Sequence, residues 1–156
     1  MKKTLAILAT FLPLAALADE AADLKASAER GKAIYMTTCM ACHQPHGNGL
    51  PPVFPPFNGS EFVQGDARRL VAIVTKGLTG PLKVKGQQFN GVLIAVDTQF
   101  PVLKDNEKLA DVLNYIRTAW ENKADKPITP DFIQKVRDEF KDRTTPWTEP
   151  EILNFK

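Results

Sequence analysis

The sequence predicts an all-α protein with a single domain. Its 156 residues are 44% hydrophobic and 24% charged, which is typical of a soluble protein built around one core. Apolar residues recur at helical spacing in several segments, and stretches rich in proline and glycine separate these segments. We therefore expect helices joined by Pro- and Gly-rich loops.

The first 18 residues have the pattern of a secretory signal peptide. Lys2 and Lys3 form a basic start, residues 5–14 are mainly apolar, and Ala16 and Ala18 give the small-x-small pattern of a cleavage site. The apolar run is shorter than the ~20 residues that span a bilayer. We expect cleavage after Ala18 and a periplasmic mature protein without a membrane span.

The charge balance argues against one class of partner. Without Lys2 and Lys3, the chain has 18 Lys and Arg against 18 Asp and Glu. Nucleic-acid-binding proteins usually carry a basic excess. Nucleic acid is therefore not an expected partner.

The helices can be placed in order along the chain. Residues 20–37 predict a first helix, and the eight prolines and glycines in residues 44–60 predict a long loop. Asp66 can cap a helix that ends at Gly77. Residues 77–104 read as irregular, with room for a short hairpin.

The clearest helix spans residues 105–122. Leu109, Val112, Leu113, Ile116 and Trp120 recur at i, i+3, i+4, i+7 and i+11, the spacing of one apolar helix face. A further helix over residues 131–143 and an extended tail follow. We expect a main domain over residues 19–122, with a C-terminal helical extension and tail, residues 123–156, packed on it.

Cys39, Cys42 and His43 form the motif Cys-x-x-Cys-His. This spacing is the attachment site of c-type haem, in which two thiols bind the porphyrin and the histidine binds iron. A thioredoxin-like redox pair, a zinc site or a disulfide are the alternatives. The first lacks a preceding strand pattern, the second lacks a fourth ligand, and the third leaves His43 without a role.

Several strings resemble class I c-type cytochromes, especially the bacterial periplasmic monohaem proteins. The resemblance covers about residues 27–122. Besides Cys-x-x-Cys-His, the strings that carry it are Cys42–Pro45, Phe54–Ser60, Gly77–Pro81, Phe89–Val92 and Tyr115–Arg117.

The resemblance implies the cytochrome c fold around one haem c bound covalently through Cys39 and Cys42. It makes His43 the iron ligand and the Pro55 carbonyl the acceptor of the His43 N–H, which would fix the histidine tautomer. It also implies that the first and last helices of the domain cross, with Gly31 and Tyr35 against Leu113 and Ile116.

One position departs from the family pattern. The resemblance places the axial methionine where this chain has Leu93, in Asn90–Ile94. Met36 and Met40 lie beside the cysteines, where we expect them to pack. The alternative donors are His46, Lys83 and Lys85. The simplest expectation is an iron with an open or weakly occupied sixth position.

Two functions follow. The first is a one-electron carrier, not an enzyme, whose partners would be a periplasmic dehydrogenase, a reductase or a terminal oxidase. The second is a five-coordinate haem protein that binds NO or CO as a sensor or scavenger, because an apolar residue without a nearby hydrogen-bond donor favours neutral diatomics. Peroxidase activity is a weaker third reading, since no distal His, Arg or Glu is evident. We favour the carrier.

Overall fold

The computed structural model describes residues 13–154, which are mainly helical. Residues 1–12 of the predicted signal peptide lie outside this range, and residues 13–18 begin the first helix. The helices are α1 Pro13–Thr38, α2 Met40–His43, α3 Glu61–Gln64, α4 Ala67–Lys76, α5 Val96–Gln99, α6 Asn106–Thr118, α7 Pro130–Glu139 and α8 Glu149–Leu153. Strands β1 Leu78–Val84 and β2 Gln87–Leu93 form one antiparallel sheet, and a 3₁₀ turn covers Pro101–Lys104.

Helix α4 has the predicted limits. The Asp66 side chain accepts a hydrogen bond from the Arg68 N–H at 2.8 Å, and the Gly77 N–H donates to the carbonyl of Ile73 at 2.7 Å. Asp66 therefore satisfies a free N–H of the first turn, and Gly77 closes the last turn with a positive φ of 86°.

Helix α6 is shorter than the predicted span of residues 105–122. It ends at Thr118, and Trp120 takes a left-handed φ of 58°. The buried Asn122 amide donates to the Ile116 carbonyl at 2.8 Å and to the Phe57 carbonyl at 3.0 Å. This side chain replaces the helical hydrogen bond that a longer helix would supply, and it ties the end of α6 to the loop at Phe57.

Residues 78–93 form a regular hairpin of two seven-residue strands, in the region for which the sequence left room for a short hairpin within irregular chain. Lys85 and Gly86 both have positive φ, 51° and 78°, as a two-residue type I′ turn requires. The register pairs Leu78 with Leu93 and Gly80 with Gly91. Because strand residues alternate between faces, the turn fixes which side chains share the inner face.

Helices α1 and α6 cross at Gly31, as the resemblance implied, but the contact is made by backbone. A Cβ on Gly31 would lie 1.9 Å from the Asp111 carbonyl oxygen and 2.8 Å from the Val112 nitrogen. The nearest neighbours of Gly31 are therefore backbone atoms of Asp111 and Val112, while Tyr35, Leu113 and Ile116 belong to the same buried core cluster. Only glycine allows the two backbones to approach this closely.

A buried polar network fixes the register of this crossing. The Asp111 carboxylate accepts hydrogen bonds from the Ser27 hydroxyl at 2.7 Å and from two nitrogens of Arg30 at 2.7 and 2.8 Å. The Asn114 amide donates to the Ser27 oxygen and to the Ile128 carbonyl, both at 2.9 Å. Helix α6 is thus joined by polar contacts both to α1 and to the chain that follows it.

The C-terminal extension packs on the rest of the molecule. Helix α7 ends at Glu139, four residues before its predicted end, and packs on α4 and α6. The backbone N–H of Trp147 donates to the Gly77 carbonyl at 3.0 Å, and the backbone carbonyl of Trp147 accepts the Thr79 N–H at 2.7 Å. The prediction of an extended tail is wrong beyond this residue, because Thr148 and Glu151 form a capping box that starts α8.

Within residues 13–154, none of the helices combines the length and apolar character needed to cross a bilayer.

The close crossing predicts that Gly31→Ala destabilises the protein by about 3 kcal/mol or more, at the upper end of overpacking effects, because the added methyl meets backbone that cannot rotate away. Denaturant unfolding measures this change. Ala33→Leu is the matched control, since Ala33 is an exposed residue of the same helix. Equal stability of Gly31→Ala and wild type would contradict the crossing.

Candidate cofactor site

A cavity of about 400 Å³ lies inside the fold. Its lining comes from α1 and α2, the loop 44–60, α4, the inner face of the hairpin, the segment after the hairpin, and α6. Hydrocarbon side chains dominate this lining, and no Lys, Arg, Asp or Glu is among them. An apolar cavity of this size with a few polar groups suits a cofactor.

The thiols of Cys39 and Cys42 both line this cavity, and both are free. Cys39 follows α1 directly, and the Cys42 N–H donates to the Cys39 carbonyl at 3.2 Å. Burial raises the pKa of the Cys39 thiol to about 11, against the opposing effect of its hydrogen bond with Thr38. One helical turn therefore presents two thiols to the same space.

His43 lines the same cavity, and its orientation is fixed. Its Nδ1 lies 2.9 Å from the Pro55 carbonyl oxygen, the hydrogen bond that the resemblance implied. Because a carbonyl only accepts, Nδ1 carries the proton and Nε2 keeps its lone pair. Burial lowers the pKa of His43 to about 4, despite the opposing effect of the Pro55 bond. The imidazole is thus neutral at pH 7, as a metal ligand must be.

The loop 44–60, called here the proline loop, holds the Pro55 carbonyl in place. The Gly49 N–H donates to the His43 carbonyl at 3.0 Å, and the Phe57 N–H donates to the Gly47 carbonyl at 2.7 Å. A Cβ on Gly49 would lie 2.3 Å from the Phe54 oxygen and 2.7 Å from the Pro55 oxygen. Gly49, with φ +66°, lets the loop fold tightly over the acceptor of His43.

These donors fit a covalently attached haem. Two free thiols and a neutral imidazole with an available Nε2 meet in one apolar cavity. The zinc alternative finds no support in residues 13–154, where no three or more His, Cys, Asp or Glu side chains are arranged so that they could together hold a metal ion.

Leu93 lies at the end of β2 and lines the cavity. Its register partner Leu78 and the alternating residues Gly80, Leu82 and Phe89 line it too. The hairpin therefore turns one face toward the cavity, with two glycines paired at its centre. A shift of one residue would send Leu93 to the other face.

The other proposed donors lie elsewhere. The cavity lining does not include His46, Lys83 or Lys85, and all three are exposed. The Lys85 ammonium donates to the Asn58 carbonyl at 3.2 Å. Met40 packs against the core as predicted, whereas Met36 is 43% exposed, contrary to its predicted packing role.

Gln99 was missed by sequence reasoning. It is an exposed residue at the end of α5 that borders the cavity six positions after Leu93, and its amide was not considered as a donor there from the sequence alone. Its amide donates to the Ile94 carbonyl at 3.2 Å. No periodicity distinguishes it, because it occupies a four-residue helix between two irregular stretches.

Helix α5 is anchored by a partly buried ion pair. Asp97, 8% exposed, pairs with Arg137 of α7. Arg137 also donates to the Leu103 carbonyl at 3.0 Å and to the Asn106 side chain at 2.9 Å. The C-terminal extension therefore holds the segment that follows Leu93.

Comparison with known proteins agrees with this geometry. The model of the family described as Cytochrome c matches residues 28–120. The chain is 39% identical to cytochrome c-552 of Thermus thermophilus, over 88% of this chain and 87% of that protein. It is 30% identical to the cytochrome c subunits of quinone alcohol dehydrogenase from Gluconacetobacter polyoxogenes and of gluconate 2-dehydrogenase from Pantoea cypripedii. Those matches cover 69% and 70% of this chain, but only 22% and 24% of the two subunits.

The ion pair predicts that Asp97→Ala destabilises the protein by about 1.5 to 3 kcal/mol, because Arg137 loses a charged hydrogen-bond partner in a largely buried setting. Thermal and denaturant unfolding measure the loss. Glu139→Ala is the matched control, since Glu139 lies on the same helix as Arg137 and forms a more exposed ion pair with Arg68. Its loss should lower the stability by under about 1 kcal/mol. Equal effects of both variants would refute the anchoring role.

Proposed function

The chain belongs to the cytochrome c family, and on that premise we propose a periplasmic one-electron carrier whose haem c is attached through Cys39 and Cys42. Haem c, the cofactor of this family, supplies a one-electron iron couple. His43 would ligate the iron. The observation that carries this assignment is the neutral, partly buried imidazole with a free Nε2, in the same cavity as both thiols.

The residues around the cavity serve electron transfer in two ways. The Pro55 carbonyl fixes the His43 tautomer and raises the basicity of the ring, as partners of ligating histidines do. The hydrocarbon lining excludes water and charge, and so contributes to the reduction potential. These side chains position and tune the cofactor, whereas a bound substrate has no part in the scheme.

We further propose an open or weakly occupied sixth position beside Leu93. Among the cavity-lining residues of the described chain, His43 is the only histidine and none is methionine or lysine. A haem without the thioether ligand has a lower potential than one with His and Met ligands. An open sixth position would also bind small molecules from solution. Binding of NO or CO is therefore the second candidate function.

The expected partners are redox proteins that bind weakly and transiently. Two of the relatives are subunits of dehydrogenases by name, which supports a dehydrogenase as the electron donor. The acceptor we propose is a reductase or a terminal oxidase. The signal pattern in residues 1–18 supports a periplasmic location for the exchange.

The attachment predicts a defined mass. Expressed in cells with a cytochrome c maturation system, the protein should carry one haem after denaturation, on a chain that begins at Asp19. Cys42→Ala should reduce the yield of haem protein sharply, because one thioether bond is lost. Ala41→Ser, which keeps both thiols, is the control. A denatured wild-type chain without haem would contradict covalent attachment.

The open position predicts a high-spin wild type at neutral pH that binds carbon monoxide when reduced. Leu93→Met replaces the side chain at nearly constant volume, a change that costs under about 1.5 kcal/mol in most cores. It should make the iron low-spin, raise the potential and suppress carbon monoxide binding, because a thioether ligates the iron. Visible spectra and redox titration measure these changes.

Val102→Met is the control for this experiment, since Val102 is exposed and lies outside the cavity lining. It should leave the spectrum unchanged. If the wild type is low-spin and does not bind carbon monoxide, and if Leu93→Met changes neither property, another residue fills the sixth position.

A further inference from the structure

We propose that Gln99 forms the polar part of a binding site for small monovalent anions at the sixth iron position. This inference rests on the open position proposed above. It adds a ligand class that the hydrocarbon side chain of Leu93 alone would not favour.

The location of Gln99 is the first argument. The segment 93–100, called here the Leu93 segment, contributes Leu93, Ile94, Val96, Gln99 and Phe100 to the cavity lining. Four of these side chains are hydrocarbon, and Gln99 alone carries nitrogen and oxygen. Among the side chains of this segment that line the cavity, Gln99 is therefore the one that can donate a hydrogen bond to a ligand beside Leu93, and it does so from a position that is partly open to solvent.

The remaining polar lining residues belong to other parts of the cavity. Thr37 and Thr38 precede the cysteines, and the Thr38 hydroxyl contacts the Cys39 sulfur at 3.3 Å. Ser60 is the last residue of the proline loop that holds His43, and its hydroxyl oxygen accepts the Phe62 N–H at 3.2 Å. Neither group lies on the segment that carries Leu93.

The Gln99 amide has a free hydrogen-bonding capacity. A carboxamide NH₂ has two N–H donors, and the described contacts engage one of them, with the Ile94 carbonyl at 3.2 Å. That bond ties the Gln99 side chain to the backbone just before α5. The second N–H is available to a ligand.

The backbone that carries Gln99 is also fixed. Asp97, two residues earlier, is held by Arg137, which binds the Leu103 carbonyl at the same time. The donor therefore needs little ordering when a ligand arrives, and preorganised donors contribute more to affinity than mobile ones.

The chemistry of the site selects the ligand. An N–H donor stabilises a ligand whose outer atom carries negative charge, and gives little to neutral carbon monoxide. No ionised side chain lines the cavity, so ferric iron is the positive charge available to offset an anion, and one negative charge is the most the site would accept at low cost. Cyanide and azide are probes of this class.

Ligand binding to the purified haem protein tests the proposal. The dissociation constant and release rate of cyanide are measured on the ferric form, and those of carbon monoxide on the ferrous form, for wild type and Gln99→Leu. Loss of one hydrogen bond to a charged ligand should weaken cyanide binding about 10- to 100-fold, mainly through faster release. Carbon monoxide affinity should change less than about threefold.

Two more variants sharpen the test. Gln99→Glu keeps the shape but places a negative charge beside the ligand, so cyanide binding at neutral pH should weaken at least as much as in Gln99→Leu. It also keeps the proposal testable if Gln99→Leu does not fold. Gln87→Leu is the control, since Gln87 is exposed and lies outside the cavity lining, and it should leave cyanide binding unchanged.

The unfavourable outcomes are distinct. If both Gln99 variants bind cyanide like wild type, or lose cyanide and carbon monoxide binding equally, Gln99 has only a structural role and the proposal fails. A loss confined to Gln87→Leu also refutes it. A low-spin wild type that binds neither ligand would instead refute the open position itself, and with it this inference.

Discussion

The contact of α1 with α6 at Gly31 is the constraint on which the rest of the molecule depends. The two backbones meet where a methyl group would lie 1.9 Å from the Asp111 oxygen. The Ser27 and Arg30 side chains bind the Asp111 carboxylate and prevent the helices from sliding. Because Cys39 follows directly from α1, the angle of this crossing determines where the thiols and His43 meet the cavity.

A second set of hydrogen bonds joins the C-terminal end of α6 to the proline loop. Asn122 binds the end of α6 and the Phe57 carbonyl, and its oxygen accepts the Gly59 N–H at 2.8 Å. The proline loop is therefore fixed to the helix that α1 also crosses. The orientation of the His43 imidazole thus depends on the α1–α6 crossing and on the bonds of Asn122 to the proline loop. This rigidity suits an electron carrier, because little of the structure has to rearrange when the charge of the cofactor changes.

The sequence predicted those features whose cause is local. Helix α4 followed from its cap at Asp66, and the Cys39–His43 motif needed no tertiary information. The hairpin was harder to predict because Pro81 and the paired glycines Gly80 and Gly91 interrupt its apolar alternation. The early end of α6, the Asp97–Arg137 pair and the position of Gln99 each depend on contacts between distant residues, which a single sequence does not encode by periodicity.

The parallel contact of Trp147 with the start of β1 also bears on the order of assembly. The cysteines and His43 lie on a helix and a turn that form from neighbouring residues, whereas the Leu93 segment is secured by Arg137 and the hairpin by Trp147. Contacts between residues so far apart in the chain form late, because a long loop must first close. We therefore expect the turn that carries both thiols to form before the hairpin and the Leu93 segment are secured, so that a large planar group could enter from that side.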